Sequence, residues 1–299
     1  QRHIDFSYHH LANVPKSLIV YCKEDYWSIF KTDEIGFRNP LGQINEDVDF
    51  IFLGDSFVEG ACVDDDFTFA GLFRKNNYKV FNLGRGGTGP LAQLALLKEY
   101  GNLVKSKNIV WFVFTGNDLK NLREEKGTKL INYLEDINFR QNLYKDRFEV
   151  SKVLINFLEK EIKLKIKRDS TNVNYSYNHG YGETLDLIEA KEKDVILLEM
   201  VARKILRNSL NIASKLKIVI LDHPGYNHDI QDITSKTISK FAKDENLEFI
   251  HIKRSFLEKN VINLYSNKGK GVHFSNKGYE TINKIILRDL ISKKDDFKP

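Results

Sequence analysis

Five apolar runs, rich in β-branched and aromatic residues, recur along the chain with polar or helix-like segments between them. They cover residues 48–54, 78–84, 109–116, 217–223 and 247–253. Their hydrophobicity is continuous rather than alternating, which is typical of strands covered on both faces. Amphipathic helical spacing is found between and after them, over residues 91–104, 235–247 and 275–292. This alternation predicts a three-layer α/β/α domain around a mostly parallel five-stranded sheet.

Two regions fall outside the alternation. We expect residues 1–45 to form an N-terminal arm or hairpin laid on a domain that spans 46–299. The segment 119–216, between the third and fourth strands, is too long for a plain crossover and is expected to be an insertion with its own helices. Within it, residues 151–168 predict an amphipathic helix, either packed on the domain or acting as a lid or membrane-surface contact. Residues 169–183 are predicted to form a mobile loop.

The charge balance excludes few partners by itself. The chain has 46 lysines and arginines against 41 aspartates and glutamates, mixed in sign along its 299 residues. Because the basic residues are not interleaved with aromatic residues on one face, we expect no nucleic-acid partner. No run reaches the ~18 apolar residues of a membrane span. The sequence begins at Gln1 rather than Met, so a removed signal or anchor is conceivable, which favours an exported, periplasmic or membrane-anchored protein over a cytoplasmic one.

The chain has only two cysteines, Cys22 and Cys62. They cannot make a disulfide framework, and neither lies in a Cys-x-x-Cys motif or a Cys/His cluster. The sequence leaves two states open: two buried free thiols, or one disulfide if the protein is exported.

Chemistry-bearing residues follow several of the predicted strands. Gly54-Asp55-Ser56 follows the first strand, the glycine-rich segment 82–90 the second and Gly116-Asn117-Asp118 the third, and His273 lies just before the last helix. The carboxyl ends of parallel strands meet at one edge of a sheet, where ligands bind. Ester cleavage needs a hydroxyl nucleophile, a base and donors for the oxyanion, and this set of residues supplies all three.

In order, the segments "GDS", "NLGRGG" and "GND" and a histidine before the C-terminal helix resemble the four blocks of the SGNH (GDSL-like) hydrolase superfamily. The resemblance covers about residues 46–118 and 217–292, and it implies a flavodoxin-like fold. It also implies that Ser56 is the nucleophile and His273 the general base. The implied oxyanion hole consists of the Ser56 N–H, the Gly87 N–H and the Asn117 amide, with Gly84 or Gly86 as alternatives to Gly87; Asp55 is a further supporting candidate.

The sequence departs from the family pattern at one position. Members usually carry an aspartate three residues before the histidine to orient the imidazole, whereas this chain has Lys270. Three alternatives stay open. The Lys270 carbonyl accepts the imidazole proton, a carboxylate from elsewhere does so, with Asp222 as a candidate, or the site binds without turnover.

Other interpretations of the same motifs are weaker. Residues 84–89 match the glycine pattern of a dinucleotide site, but no acidic residue follows at the end of the next strand. His223 and His228, with flanking aspartates, could suggest a metal, but Pro224 and Gly225 favour a surface turn. Ser56 taken alone could simply cap a helix.

The expected activity is hydrolysis of a small O-acyl ester, such as acetyl on a carbohydrate or polysaccharide. An O-acyltransferase using the same Ser-His site, and a non-catalytic domain that binds a glycan or partner, are the alternatives. The partner is therefore a small acyl-ester or glycan substrate, and neither a cofactor nor a metal is expected. The sequence predicts no oligomeric state.

Overall fold

The structure is a computed structural model that describes residues 11–25, 27–149, 152, 153, 155, 156, 159 and 192–291. Its strands are β1 (Leu18–Lys23), β2 (Trp27–Lys31), β3 (Asp47–Leu53), β4 (Val80–Asn82), β5 (Lys105–Phe114), β6 (Lys215–Leu221) and β7 (Glu248–Ile252). The last five form one sheet in the order β4-β3-β5-β6-β7, and each neighbouring pair is parallel. This order is that of flavodoxin-like folds, so the predicted fold class is confirmed.

Helices cover both faces of the sheet. Those with described bounds are α1 (Ser56–Glu59), α2 (Phe69–Lys75), α3 (Pro90–Tyr100), α4 (Asp118–Lys126), α5 (Ile131–Glu135), α6 (Glu192–Ile212), α7 (His228–Asp244), α8 (Arg254–Lys259), α9 (Val261–Leu264), α10 (Ser266–Gly269) and α11 (Asn276–Ile286). The predicted helices over 91–104 and 275–292 correspond to α3 and α11. The helix predicted over 235–247 begins earlier, at His228, because the Asn227 side chain caps it by accepting from the Ile230 N–H.

The continuous apolar runs are explained by two cores, one on each side of the sheet. In β5, Trp111 faces a cluster that includes residues of α3 and α6, whereas Phe112 faces a second cluster with residues of α2 and α11. Both side chains are almost fully buried. Burial on this scale contributes about 1.5–3 kcal/mol for each large apolar side chain, so the central strands hold the sheet edge above them in place.

The segment between β5 and β6 contains α4, α5 and α6, as an insertion with its own helices requires. The predicted helix over 151–168 lies mostly outside the described residues, and the predicted loop over 169–183 lies wholly outside them. No helix that the structure describes is long and apolar enough to cross a membrane.

The N-terminal arm contains an antiparallel hairpin of β1 and β2, with an irregular register between Tyr21 and Lys23. Ser28 and Phe30 of β2 are buried, while Trp27 and Ile29, on the opposite face, are more than half exposed. The buried guanidinium of Arg38 lies over the Phe30 ring, 4.4 Å from its centroid. The domain boundary at residue 45 stays a prediction, but a hairpin is present where an arm is expected.

Candidate active site

Ser56 lies at a sharp turn from strand to helix. β3 ends at Leu53, and Ser56 is the first residue of the single-turn helix α1. The Asp55 carboxylate caps this helix by accepting from the Phe57 N–H at 3.0 Å. A Cβ at Gly54 would lie 2.5 Å from the Val58 side chain, so only glycine allows the turn to be this tight. The turn leaves the Ser56 hydroxyl at the carboxyl edge of the sheet.

His273 meets Ser56 at this edge. It lies in the segment before α11, next to Phe274, which forms an isolated β-bridge with Tyr265. The His273 Nε2 is 3.0 Å from the Ser56 Oγ. The imidazole also packs against the Phe57 ring, with centroids 5.2 Å apart. The two residues are 217 positions apart in sequence, and the structure places them within proton-transfer distance.

The other ring nitrogen of His273 is bound by Glu24, which directly follows β1 of the N-terminal hairpin. The His273 Nδ1–H donates to the Glu24 Oε1 at 2.8 Å. The Glu24 Oε2 accepts from the His273 backbone N–H at 3.0 Å and from the Ser266 hydroxyl. With the proton held on Nδ1, Nε2 is left to accept the hydroxyl proton of Ser56.

The surroundings of Glu24 favour its charged form. Burial by itself raises the pKa of the Glu24 carboxyl, but the hydrogen bond and charge of His273, together with the hydrogen bond from Ser266, outweigh burial and lower the pKa below its ordinary value. Only 12% of the Glu24 side chain and 18% of the His273 side chain are exposed, so the pair is largely shielded from water.

Of the alternatives left open by the sequence, the observed contact is a carboxylate from elsewhere in the chain, and it is Glu24 rather than the candidate Asp222. Lys270 is exposed, and the His273 Nδ1–H is directed at Glu24 rather than at the Lys270 carbonyl. The Asp222 carboxylate binds His251 Nε2 at 2.9 Å, with Thr115 donating to its other oxygen. Asp222 thus joins β5, β6 and β7 at their carboxyl ends, and its carboxylate binds His251 and Thr115 rather than His273.

His223, in the motif that could have suggested a metal, holds the segment that carries His273. Its Nδ1 accepts from the Gly225 N–H at 2.9 Å, and its Nε2–H donates to the Val272 carbonyl at 3.0 Å. Burial lowers the pKa of His223 to about 4, so the ring is neutral near pH 7. Both ring nitrogens are used by backbone groups, while His228 is exposed at the start of α7.

The glycine-rich loop after β4 offers one uncommitted N–H. The Gly84 N–H donates to the Asn82 side chain at 2.8 Å, and the Gly86 N–H donates to the Glu59 carboxylate at 2.7 Å. Within the described residues, the Gly87 N–H has no such acceptor, and its φ of +76° is one that glycine adopts readily. Of the three glycines considered, Gly87 is the one whose N–H is available to a ligand. Because the N–H groups of Gly84 and Gly86 are already bonded, fewer N–H groups are free to bind the phosphates of a dinucleotide.

The loops after β4 and β5 lie close to the Ser56 turn. The Gly54 carbonyl accepts from the Arg85 N–H at 3.1 Å, which attaches the glycine-rich loop to the strand end beside Ser56. Asn117 precedes α4, and neither its buried side-chain oxygen nor its side-chain Nδ2 has a hydrogen-bond partner in the described part of the chain. The Nδ2 group, which is the donor of the amide, is therefore free to donate to a substrate oxygen. Oxyanion roles for Ser56, Gly87 and Asn117 stay predictions.

Two buried acids lie behind Ser56. Burial raises the pKa of Asp55 to about 6, against the opposing hydrogen bond from the Phe57 N–H and the charge of His273. Burial, and then the charge of Asp55, raise the pKa of Asp118 well above its usual range. Asp118 accepts from the Phe114 N–H at 2.9 Å and so fixes the end of β5. These carboxyls shape the turns and do not contact the Ser56 hydroxyl.

Glu59 ties the N-terminal arm to the glycine-rich loop. Its carboxylate accepts from the Asn13 amide at 3.0 Å, from the Gly86 N–H and from the Tyr21 hydroxyl. The sequence interpretation did not identify Glu59 or Glu24. One signal was present: Glu59 is a charged residue inside the apolar run that follows Ser56, where an acid is unexpected unless it has partners.

A disulfide completes the site. Cys22 and Cys62 are joined, with their Cα atoms 5.0 Å apart, so of the two states left open by the sequence the disulfide is observed. The Cys62 sulfur also lies 3.4 Å from the His273 Nδ1. Among the described residues, these two cysteines with Glu24 and His273 form a group with ligand atoms within 4.8 Å of one another. With the sulfurs bonded to each other, neither is the thiolate that a metal requires.

Comparisons with known proteins give similarity at the level of solved structures. No family model matches the chain, and no curated protein does. A lipolytic protein of the G-D-S-L family from Desulfitobacterium hafniense is 14% identical, over 81% of this chain and 99% of that one, with a TM-score of 0.43. Axe2, an acetylxylan esterase from Geobacillus stearothermophilus, is 13% identical over 85% and 100%, with a TM-score of 0.46. The lipase/acylhydrolase from Enterococcus faecalis is 12% identical over 85% and 100%, with a TM-score of 0.45.

Proposed function

We propose that this chain is a serine-dependent esterase of the SGNH type that cleaves small O-acyl esters. The observation that carries the proposal is a continuous hydrogen-bonded array, from the Ser56 hydroxyl through His273 to the Glu24 carboxylate, with distances of 3.0 and 2.8 Å. A hydroxyl, a base and an orienting acid in this order form the arrangement that activates a serine for acyl transfer.

The proposed reaction begins when the Ser56 hydroxyl gives its proton to the His273 Nε2 and attacks the ester carbonyl carbon. The negative charge that develops on the carbonyl oxygen is stabilised by the N–H groups of Ser56 and Gly87 and by the Asn117 amide. The protonated imidazole, stabilised by Glu24, then gives its proton to the leaving alkoxide. Water activated by the same imidazole hydrolyses the acyl-enzyme and regenerates the Ser56 hydroxyl.

The orienting carboxylate weakens the case for a site that only binds. That alternative followed from Lys270 standing where relatives carry an aspartate. With Glu24 bound to Nδ1, the imidazole has the tautomer that catalysis needs. Acetyl groups on a carbohydrate are the substrates we favour. A sugar hydroxyl in place of water would make the same residues an O-acyltransferase, and product analysis separates these two outcomes.

The test is hydrolysis of p-nitrophenyl acetate and of longer p-nitrophenyl esters by the oxidised protein. We expect Ser56→Ala and His273→Ala each to lower kcat by ~10⁴-fold or more, since these residues act as a unit. Ser214→Ala and His228→Ala, at exposed positions, are the matched controls and should keep full activity. A fluorophosphonate should label Ser56 alone. Activity that survives Ser56→Ala, or an unaltered protein without turnover, would contradict the proposal.

A further inference from the structure

We propose that the Cys22–Cys62 disulfide is a positioning device for catalysis: it holds Glu24 against His273, and a dithiol reductant that opens it slows the reaction. The effect on turnover rests on the proposed function, whereas the effect on the contact between Glu24 and His273 does not. Each step below follows from where the two cysteines lie relative to the catalytic array.

The disulfide joins the segment that carries Glu24 to the segment that follows Ser56. Cys22 is two residues before Glu24 at the end of β1, and Cys62 is six residues after Ser56, just beyond α1. The bond links positions 40 residues apart, with Cα atoms 5.0 Å from each other. A short covalent path therefore runs from the orienting carboxylate to the segment of the nucleophile, with His273 between them.

The hairpin that carries Glu24 packs on the domain through one face only, where Phe30 is buried and the Tyr21 hydroxyl is bound to Glu59. An isolated two-stranded hairpin is marginally stable in water. The outer face is exposed at Val20, Trp27 and Ile29, so it contributes little burial. At its tip, Glu24 and Asp25 make polar contacts, in which their carboxylates accept from the Ser266 hydroxyl and the Asn267 N–H. Polar contacts of this kind can be exchanged for contacts with water at a small net cost.

The bond is open to thiol exchange at one end. The Cys62 side chain is buried, whereas Cys22 is partly exposed, so a thiolate of dithiothreitol reaches the Cys22 sulfur first. Its attack forms a mixed disulfide and expels the Cys62 thiolate, which takes up a proton. The second thiol of the reagent then releases the Cys22 thiol and leaves the reagent as a cyclic disulfide. Two electrons pass to the protein disulfide, and a disulfide oxidant reverses the step.

The expected consequence is a loss of kcat without a matching rise in KM. When the hairpin tip moves, His273 loses the group that fixes its tautomer, as it would in Glu24→Gln. We expect reduction to lower kcat by at least about tenfold. In Glu24→Gln, reduction should change kcat by less than about twofold, because the group on which the disulfide acts is already gone.

The experiment compares the oxidised protein with protein reduced by dithiothreitol, and with the Cys22→Ser/Cys62→Ser variant, in parallel for the native sequence and for Glu24→Gln. EDTA is present throughout, so that no metal binds the freed thiols. Alkylation and mass spectrometry count the free thiols, and far-UV circular dichroism verifies that the fold persists. Turnover of p-nitrophenyl acetate is measured beside the downfield proton NMR signal of the His273 Nδ1–H, which reports the bond to Glu24 without any substrate.

The results separate the two proposals. The positioning role is supported if the Nδ1–H signal is lost on reduction and returns on reoxidation. It also requires that kcat falls only in proteins that keep Glu24. A signal that persists in protein with two free thiols overturns it, as does an equal loss of kcat in Glu24→Gln. If the oxidised protein turns over no ester but the signal still vanishes on reduction, the proposed function fails, and the effect of the disulfide on the contact between Glu24 and His273 stands.

Discussion

The sheet edge and the N-terminal hairpin contribute to the same site in different ways. Ser56, Gly87 and Asn117 follow strands of one parallel sheet, so the packing of the cores fixes their positions. Glu24 belongs to a two-stranded hairpin outside that sheet and reaches His273 across 249 positions of sequence. In the proposed mechanism, the sheet edge provides the reacting and donor groups, and the hairpin provides the group that orients the base.

The proposed catalytic array therefore joins two segments of unequal stability, the sheet edge and the N-terminal hairpin. The side chains beneath Ser56 are almost fully buried, whereas Val20, Trp27 and Ile29 on the outer face of the hairpin are exposed to solvent. Regions with few buried apolar contacts open more readily than the core. Changes that destabilise the hairpin should therefore reduce activity under conditions in which the domain stays folded.

The largest effect that separates the two regions is expected from Glu24→Gln. Glutamine keeps the size of the side chain but cannot stabilise the imidazolium, so kcat should fall by about 10²–10⁴-fold with little change in KM. Glu46→Gln, at an exposed position, is the matched control. Ester kinetics would detect the change, and a Glu24→Gln enzyme within twofold of the unaltered protein would show that the hairpin has no part in the chemistry.

At the sheet edge, Asn117→Ala should lower kcat by about 10²–10³-fold, the cost of removing one oxyanion donor. KM should change little because the interaction strengthens as charge develops on the substrate oxygen. Asn211→Ala, at an exposed position of α6, is the control. If Asn117→Ala raised KM and left kcat intact, the residue would be a binding group rather than an oxyanion donor.

A smaller effect is expected from His223→Ala, which removes the donor to the Val272 carbonyl beside His273. A slight displacement of the imidazole should lower kcat by about tenfold. Glutamine at this position keeps a donor and should restore part of the rate, and His228→Ala is the control. Equal losses in the alanine and glutamine variants would indicate a packing role instead.

The smallest effect is on stability. The pKa of Glu24 is lower in the folded protein than its ordinary value. The carboxylate therefore stabilises the native state at pH values above its ordinary pKa, and this contribution is lost as the pH falls through the folded pKa. Glu24→Gln should lower the free energy of unfolding by up to about 2 kcal/mol near neutral pH and by almost nothing in acid. Urea denaturation at several pH values measures this. If the difference in the free energy of unfolding between the two proteins grew as the pH was lowered, the prediction would be contradicted.

The sequence predicted the sheet well because its strands have continuous apolar runs, which local patterns report. The same logic brought Ser56 and His273 to one edge, and the structure places them 3.0 Å apart. Glu24 could not be found in this way. It precedes the sheet and has no fixed spacing to His273, so only the packing of the hairpin brings the two together. The pairing of Cys22 with Cys62 depends on the same long-range packing.

The central claim is that Glu24 acts through the Ser56–His273 pair, and a double-mutant cycle tests it most directly. The measurement is the effect of Glu24→Gln on ester hydrolysis in the native sequence and in His273→Ala. We predict a fall in kcat of about 10²–10⁴-fold in the native sequence and of less than about twofold in His273→Ala, because residues that act as a unit are not additive. Equal losses in both backgrounds would show that Glu24 contributes only to folding, and the absence of any loss would contradict the claim outright.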